Sequence, residues 1–195
     1  MRNLVFRMGK RFSNGKTVID LGSSLGRSFE MFLNNGYNII SCEISKPMFD
    51  RQIELFGNNK NVDIRNVDFV SDFPSENVDI ITSILTIQFT PIEDRQKIVK
   101  NIFDHLNDDG VFILVEKIIG QNYEIDDGIT CEYYADKYIN GYSKDAILDK
   151  KKSLSGVLIP VTESWNIDML KNAGFKHVEC FWRDLNFCGF IALKR

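Results

Sequence analysis

The hydrophobic positions change period repeatedly along the chain, and each change marks an element. "TVIDLG" (17–22) is a short β-branched run ending on glycine, the pattern of a strand buried on both faces. "SLGRSFEMFLNNG" then places Leu25, Phe29, Phe32 and Leu33 on one helical face and stops at Gly36. "YNIISCE" (37–43) predicts a second strand. "SKPMFDRQIELFG" predicts a helix that starts near Ser45, with Pro47 in its first turn. "NVDIRNVDF" contains a third strand and "NVDIITSIL" a fourth. In "TPIEDRQKIVKNIFDHLNDDG" Thr90 can cap, Pro91 fits the first helical position and Glu93 completes a capping box. Ile98, Val99, Ile102 and Leu106 supply that helix's apolar stripe. "VFILVEKI" (111–118) is a fifth strand. Residues 120–158 break the rhythm; they are polar, helical in pattern, and predicted to be an insertion. "TESWNIDMLKNAG" predicts a helix with Trp165, Met169, Leu170 and Ala173 inward. "FKHVECFW" and "LNFCGFIALK" close the chain as two strands joined by a tight turn near Asp184.

Strand–helix alternation over residues 16–118 predicts an α/β fold: a doubly wound, mostly parallel, Rossmann-like sheet. The closing strands add an antiparallel C-terminal β-hairpin, and the whole chain reads as one domain over 1–195. This layout resembles that of class I S-adenosylmethionine-dependent methyltransferases. Composition leaves that picture unchanged: 44% hydrophobic and 26% charged residues are an ordinary globular balance. A formal net charge of −3 argues against non-specific nucleic-acid binding. Residues 1–19 are the local exception, carrying Arg2, Arg7, Lys10, Arg11 and Lys16 with no acidic residue. Cys42, Cys131, Cys180 and Cys188 show no C-x-x-C spacing and lie far in sequence from His105 and His177, so neither a zinc site nor a disulfide framework is expected. Reduced thiols, the absence of a transmembrane-length apolar run and the absence of a signal-peptide pattern together predict a cytoplasmic protein with no membrane partner.

The chemistry concentrates in "VIDLGSSLGRS" (18–28), a strand, a glycine turn and a helix start. Asp20, Gly22 and Gly26 form a D-x-G-x-x-x-G pattern, with Ser23 and Ser24 inside it. Glycines let the backbone pass close to a ligand, and N–H groups at a helix start suit a carboxylate or phosphate. Ser24 stands where a dinucleotide fingerprint would have its second glycine, so an aminoacyl nucleoside fits better than a pyrophosphate. Glu43 ends the second strand 21 residues after Gly22, the distance at which an acid can accept both ribose hydroxyls. Asp68, beyond the third strand, is placed to accept from an adenine amino group, with Phe69 against the ring. His105 and His177 read as structural. The chain contains no nucleophile elbow, H-E-x-x-H or P-loop, and neither signature of the DNA-base methyltransferases.

"LTIQFTPIEDRQKIVKNIFDHLNDDGVFILVEKI" (85–118), "NGYSKDAILDKKKSLSGVLIPVTESWNIDMLKNAGF" (140–175) and "LNFCGFIALK" (185–194) resemble the corresponding stretches of the carboxy-S-adenosylmethionine synthase family, which acts in tRNA wobble-uridine modification. "DLGSSLG" resembles that family's cofactor loop. The resemblance implies an enzyme that binds S-adenosyl-L-methionine, with S-adenosyl-L-homocysteine or carboxy-S-adenosyl-L-methionine as the related ligands, and that draws a carboxyl group from prephenate. It implies that Gly22, Ser23 and Ser24 hold the amino-acid end, that Glu43 and Ile44 meet the ribose, and that Asp68 and Phe69 meet the adenine. It also implies a homodimer built partly from the 120–158 insertion. Three departures stand out. The family's amino-terminal extension has no counterpart ahead of residue 1. Ile84 replaces a family asparagine. Lys151 replaces the family's anion-binding arginine, exchanging a planar fork for a mobile point charge.

The leading expectation is therefore an S-adenosylmethionine-dependent transferase, in its simplest form a methyltransferase, whose acceptor (a small molecule or RNA) the sequence leaves open. The alternatives are carboxy-S-adenosyl-L-methionine synthase proper, with Lys151 and Tyr142 as its catalytic residues, and a non-catalytic S-adenosylmethionine-binding protein. Lys150 and Lys152 lie about 100° to either side of Lys151 on a helix, so the three lysines cannot share one pocket.

Overall fold

Strands form on the apolar runs and helices on the periodic ones, and the computed structural model describes all residues, 1–195. Helix α1 (Arg2–Phe12) precedes β1 (Thr17–Leu21), α2 (Glu30–Leu33), β2 (Asn38–Cys42), α3 (Lys46–Phe56), β3 (Val62–Arg65) and β4 (Val78–Ile84). After a 3₁₀ turn (Ile87–Phe89) come α4 (Ile92–His105), β5 (Leu106–Ile119), α5 (Tyr123–Ile139) and α6 (Lys144–Leu154). The chain ends with β6 (Val161–Thr162), α7 (Glu163–Ala173), β7 (His177–Asp184) and β8 (Phe187–Leu193). The strands lie in the order β3-β2-β1-β4-β5-β8-β7, with β6 paired to β5 off that path. The first five in that order run parallel, while β8 is antiparallel to both β5 and β7. This is the doubly wound sheet with an antiparallel C-terminal hairpin that the sequence predicts. No helix is long and apolar enough to cross a membrane.

The sheet is covered on both faces, which is why its central strands read as largely apolar runs. One face, with Ile19, Leu21, Phe112, Leu114 and Phe190, packs under α4 and α7 through Val99, Ile102, Met169 and Leu170. The other, with Val18, Ile80, Val111 and Ile113, packs under α1 and α2 through Val5, Phe6, Phe29 and Phe32. Thr162 caps α7 by accepting the Trp165 N–H at 3.1 Å, and Ser143 caps α6 from Ala146 at 3.1 Å.

Two local expectations are corrected. Thr90 does not cap α4. Its hydroxyl turns back to the Ile87 carbonyl at 2.8 Å, closing the 3₁₀ turn, and the helix begins at Ile92 after Pro91. The helix after the glycine turn shrinks to Glu30–Leu33 because residues 22–29 are spent on turns.

Candidate active site

From β1 the chain winds outward through β2 and β3, then returns to β4 on the opposite side of β1. Loops leaving the carboxyl ends of β1 and β4 therefore diverge and open a crevice at this switch point. A cavity of about 330 Å³ lies there. Gly22, Ser23, Ser24, Leu25 and Ser28 line it from the β1 loop, Ile84 from the end of β4, and Arg2 and Arg27 complete it. Of the residues singled out in the sequence, the structure thus gathers Gly22, Ser23, Ser24 and Ile84 around one space. Arg2, Arg27 and Ser28 were missed.

The glycines have internal reasons. Gly22 sits at φ +68°, and a Cβ there would lie 2.2 Å from Thr86 Cγ2. Gly26 sits at φ +78°, and its Cβ would lie 2.6 Å from the Phe56 ring. Close packing of the protein on itself, rather than approach to a ligand, excludes a side chain at both. Ser24 also adopts a positive φ, +52°, and its N–H donates to Glu43 Oε2 at 2.7 Å, the bond that holds the strained turn in place. Gly22 and Ser23 donate to the Cys42 carbonyl at 2.9 and 3.1 Å, and Gly26 donates to Ser23 at 2.8 Å. The N–H groups of Gly22, Ser23, Ser24 and Gly26 are therefore engaged within the protein, while those of Leu25, Arg27 and Ser28, leading into the helix, have no acceptor.

Asp20 lies beneath this loop, 1% exposed. It accepts from Ser28 Oγ and, at 2.6 Å, from Thr82 Oγ1, so it ties the loop to β4. Burial pushes its carboxyl up to about 6, against the pull of those two hydroxyls. Gln52, wholly buried on α3, donates to Ser23 Oγ at 2.9 Å and to the Ser24 carbonyl at 2.5 Å, and accepts from Ser41 at 2.5 Å. Sequence reasoning passed over Gln52, although a lone amide among the apolar positions of an amphipathic helix was its signal.

Glu43, 6% exposed, leaves β2 with one carboxylate oxygen on the Ser24 N–H and the other on the Ser45 N–H, each at 2.7 Å. Each oxygen keeps a further lone pair. Beside it Ile44 is 64% exposed, an apolar side chain left uncovered at a strand end. Asn66 fixes this corner by donating to the carbonyls of Glu43 at 2.7 Å and Ile44 at 3.2 Å. Asp68 is exposed, and its Oδ1 accepts the Val70 N–H at 3.0 Å. Phe69 departs from expectation: its ring is 6% exposed within the core cluster of Leu21, Cys42 and Ile87, not on a surface a nucleoside base would use.

The loop after β4 forms the facing wall. Thr86 packs on Gly22, and Ile87 donates to Glu116 Oε1 at 3.1 Å. Glu116 is 3% exposed near the end of β5, and burial pushes its carboxyl up to about 8 despite the loop N–H groups and Arg95 nearby. Arg95, itself 2% exposed, donates to the Gln88 and Thr90 carbonyls at 3.0 Å each and so clamps the loop from the α4 side.

Lys151 and Tyr142 are not brought to this crevice. Lys151 lies on α6 with its ammonium 5.6 Å from the Tyr134 ring centre, beside a groove between α5 and α6. Tyr142, 57% exposed, faces a separate cavity with Tyr133, Lys137 and Phe187. The two helices that carry the insertion contain no buried residue, so within one chain nothing presses them toward the β1 loop.

Comparison with known proteins follows the same lines. A methyltransferase domain family matches residues 19–114. The carboxy-S-adenosyl-L-methionine synthase of Staphylococcus epidermidis is 37% identical over 181 residues, covering 91% of this chain and 78% of that protein. The synthase of the same name from Nautilia profundicola is 36% identical over 198 residues, covering 98% of this chain and 83% of its own length. Among solved structures, a TehB-like SAM-dependent methyltransferase from Corynebacterium glutamicum superimposes with a TM-score of 0.66 at 15% identity, covering all of this chain and 86% of that one. That last likeness is one of fold.

Proposed function

The chain belongs to the carboxy-S-adenosyl-L-methionine synthase family, and from that premise we propose that it converts S-adenosyl-L-methionine into its carboxylated sulfonium derivative. It is an S-adenosylmethionine-dependent transferase. The reach of the likeness carries the narrower reading. The methyltransferase match stops at residue 114, whereas similarity to the Nautilia profundicola synthase extends over 98% of the chain and so takes in the insertion and the closing hairpin.

The crevice fits the cofactor by its charge pattern. Two guanidiniums stand at the glycine loop, and a buried acid beside an exposed isoleucine stands at the end of β2. A ligand with a carboxylate at one end and ribose hydroxyls towards the other meets both. In this reading Gly22, Ser23 and Ser24 border the methionyl group, Glu43 accepts from the ribose through its spare lone pairs with Ile44 against the sugar, Asp68 takes the adenine amino group, and Ile84 walls the reacting end. The sulfonium activates the carbon bonded to it, so the protein's share is orientation and exclusion of water. The carboxyl donor is prephenate, as the family resemblance implies, and the product serves tRNA wobble-uridine modification.

Incubation with S-adenosyl-L-methionine and prephenate, read by mass spectrometry, tests this. A carboxylated sulfonium ion is expected. S-adenosyl-L-homocysteine without that ion would instead identify methyl transfer to another acceptor, the reading favoured by the lysine at position 151 and its distance from the crevice.

The same premise includes a homodimer joined through α5 and α6. These helices and their flanks expose Tyr123, Ile125, Tyr138 and Ile139 at 84, 63, 59 and 79%. Side chains of this kind are depleted on the surfaces of monomers and enriched at interfaces. Sedimentation equilibrium checks it, and a monomer at every concentration removes it.

A further inference from the structure

The cofactor crevice contains two positive charges without an ion-pair partner among residues 1–195. Arg2, in the first turn of α1, and Arg27, in the turn after Gly26, both line the cavity, and neither takes part in an ion pair. Both are exposed at its rim. The position of Arg2 is set by packing. Val5 and Phe6 of α1 are buried, Phe6 meets the Phe32 ring edge-on at 5.2 Å, and Gly9 comes so close to Phe32 that a Cβ would lie 2.8 Å from that ring. Helix α1 is thereby seated on α2, and its first turn reaches the β1 loop.

The usual source of positive potential at such a loop is reduced to the N–H groups of Leu25, Arg27 and Ser28. The N–H groups of Gly22, Ser23, Ser24 and Gly26 are engaged inside the protein, and α2 is only one turn long. An anionic group entering the cavity can meet those three N–H groups, but a full counter-charge comes only from side chains. We propose that Arg2 and Arg27 together clamp the α-carboxylate of the cofactor's methionyl group. The proposal rests on the cofactor reading above and assigns specificity within it. A guanidinium matches a carboxylate with two parallel N–H donors, so a pair of them selects for the carboxylate by geometry as well as charge. It also gives the basic amino end a role unconnected with nucleic acid.

The test uses titration calorimetry with three probes. These are S-adenosyl-L-methionine, its decarboxylated analogue, which keeps the nucleoside, sulfonium and amine, and 5′-methylthioadenosine, which lacks the amino-acid arm. The wild type is expected to prefer S-adenosyl-L-methionine over the decarboxylated analogue by at least about tenfold, equivalent to one good charge-assisted contact. Arg2→Ala and Arg27→Ala should each narrow that ratio, and the double variant should bind the two alike. Arg2→Lys should keep part of the preference, since charge remains while the fork is lost. Binding of 5′-methylthioadenosine should be the same in all four variants as in the wild type. A double variant that keeps the wild-type preference overturns the clamp, as does a wild type that binds 5′-methylthioadenosine yet shows no preference. A wild type that binds none of the three overturns the cofactor reading along with it.

Discussion

Glu116 makes the fold's stability depend on pH in a direction opposite to ordinary acid denaturation. Its carboxyl is 3% exposed and pushed from 4.5 up to about 8, chiefly by burial. Between those values the unfolded chain has released the proton and the folded chain has kept it. The folded state binds more protons, so stability falls as pH rises, by about 1.4 kcal/mol per unit for one proton. From about pH 5.5 to about pH 8 this amounts to roughly 3 kcal/mol for Glu116. Asp20, raised from 3.8 to about 6, acts in the same direction. It adds roughly 1 kcal/mol over that interval. Urea unfolding at the two pH values should therefore show a wild-type loss of roughly 4 kcal/mol. In Glu116→Gln the loss should shrink to roughly 1 kcal/mol, the part that Asp20 supplies. A wild type as stable at the higher pH, or a Glu116→Gln variant with an undiminished slope, would refute the reasoning.

Three other perturbations bear on particular contacts. Gly22→Ala forces an L-residue to φ +68° and puts a methyl 2.2 Å from Thr86; a loss of at least about 2 kcal/mol in denaturant unfolding is expected, and wild-type stability would contradict it. Lys151→Ala should leave the dissociation constant for S-adenosyl-L-methionine within about twofold of wild type, because the side chain lies over Tyr134 away from the cavity; a loss of about tenfold in calorimetry would show that α6 reaches a crevice in solution. Among the cysteines, Cys131 is exposed while burial pushes both Cys42 and Cys188 up to about 12. Brief iodoacetamide treatment of the native protein should leave Cys42 and Cys188 unlabelled, and peptide mapping that finds either modified without unfolding would contradict the packing.

The sheet was legible because a doubly wound fold buries both faces of its central strands, and "TVIDL" and "VFILV" carry that burial without interruption. The hairpin was legible by its period, and the insertion as a polar helical stretch, but its division into two helices was not. Loop chemistry was less so. Thr90 satisfies every local rule for an N-cap, yet it bonds within the 3₁₀ turn because Arg95 and Glu116 hold that turn from both sides. Phe69 looked like a surface platform because sequence shows that a phenylalanine follows a strand but not which way its ring turns. Arg2 was visible only as one of five basic residues; its place at the crevice depends on α1 docking through Phe6 and Gly9 onto Phe32, a tertiary contact without a local signature.

Two buried acids interrupt the apolar strands, and their positions explain how the crevice is built. Asp20 in β1 secures the glycine loop through Ser28 and joins it to β4 through Thr82. Glu116 in β5 secures the opposite loop through Ile87. The two loops then meet where Thr86 fills the space that a side chain at Gly22 would need. Each buried carboxyl is unfavourable for stability once ionised, and hydrophobic residues would pack those strands more simply. What the carboxyls supply is hydrogen-bond acceptors, directed at the only two loops whose separation creates the crevice. Within the glycine loop, the strained turn at Ser24 is held by Glu43 and the space beside Gly22 is filled by Thr86. The groups left unpaired at the glycine loop are the two arginines and the N–H groups of Leu25, Arg27 and Ser28.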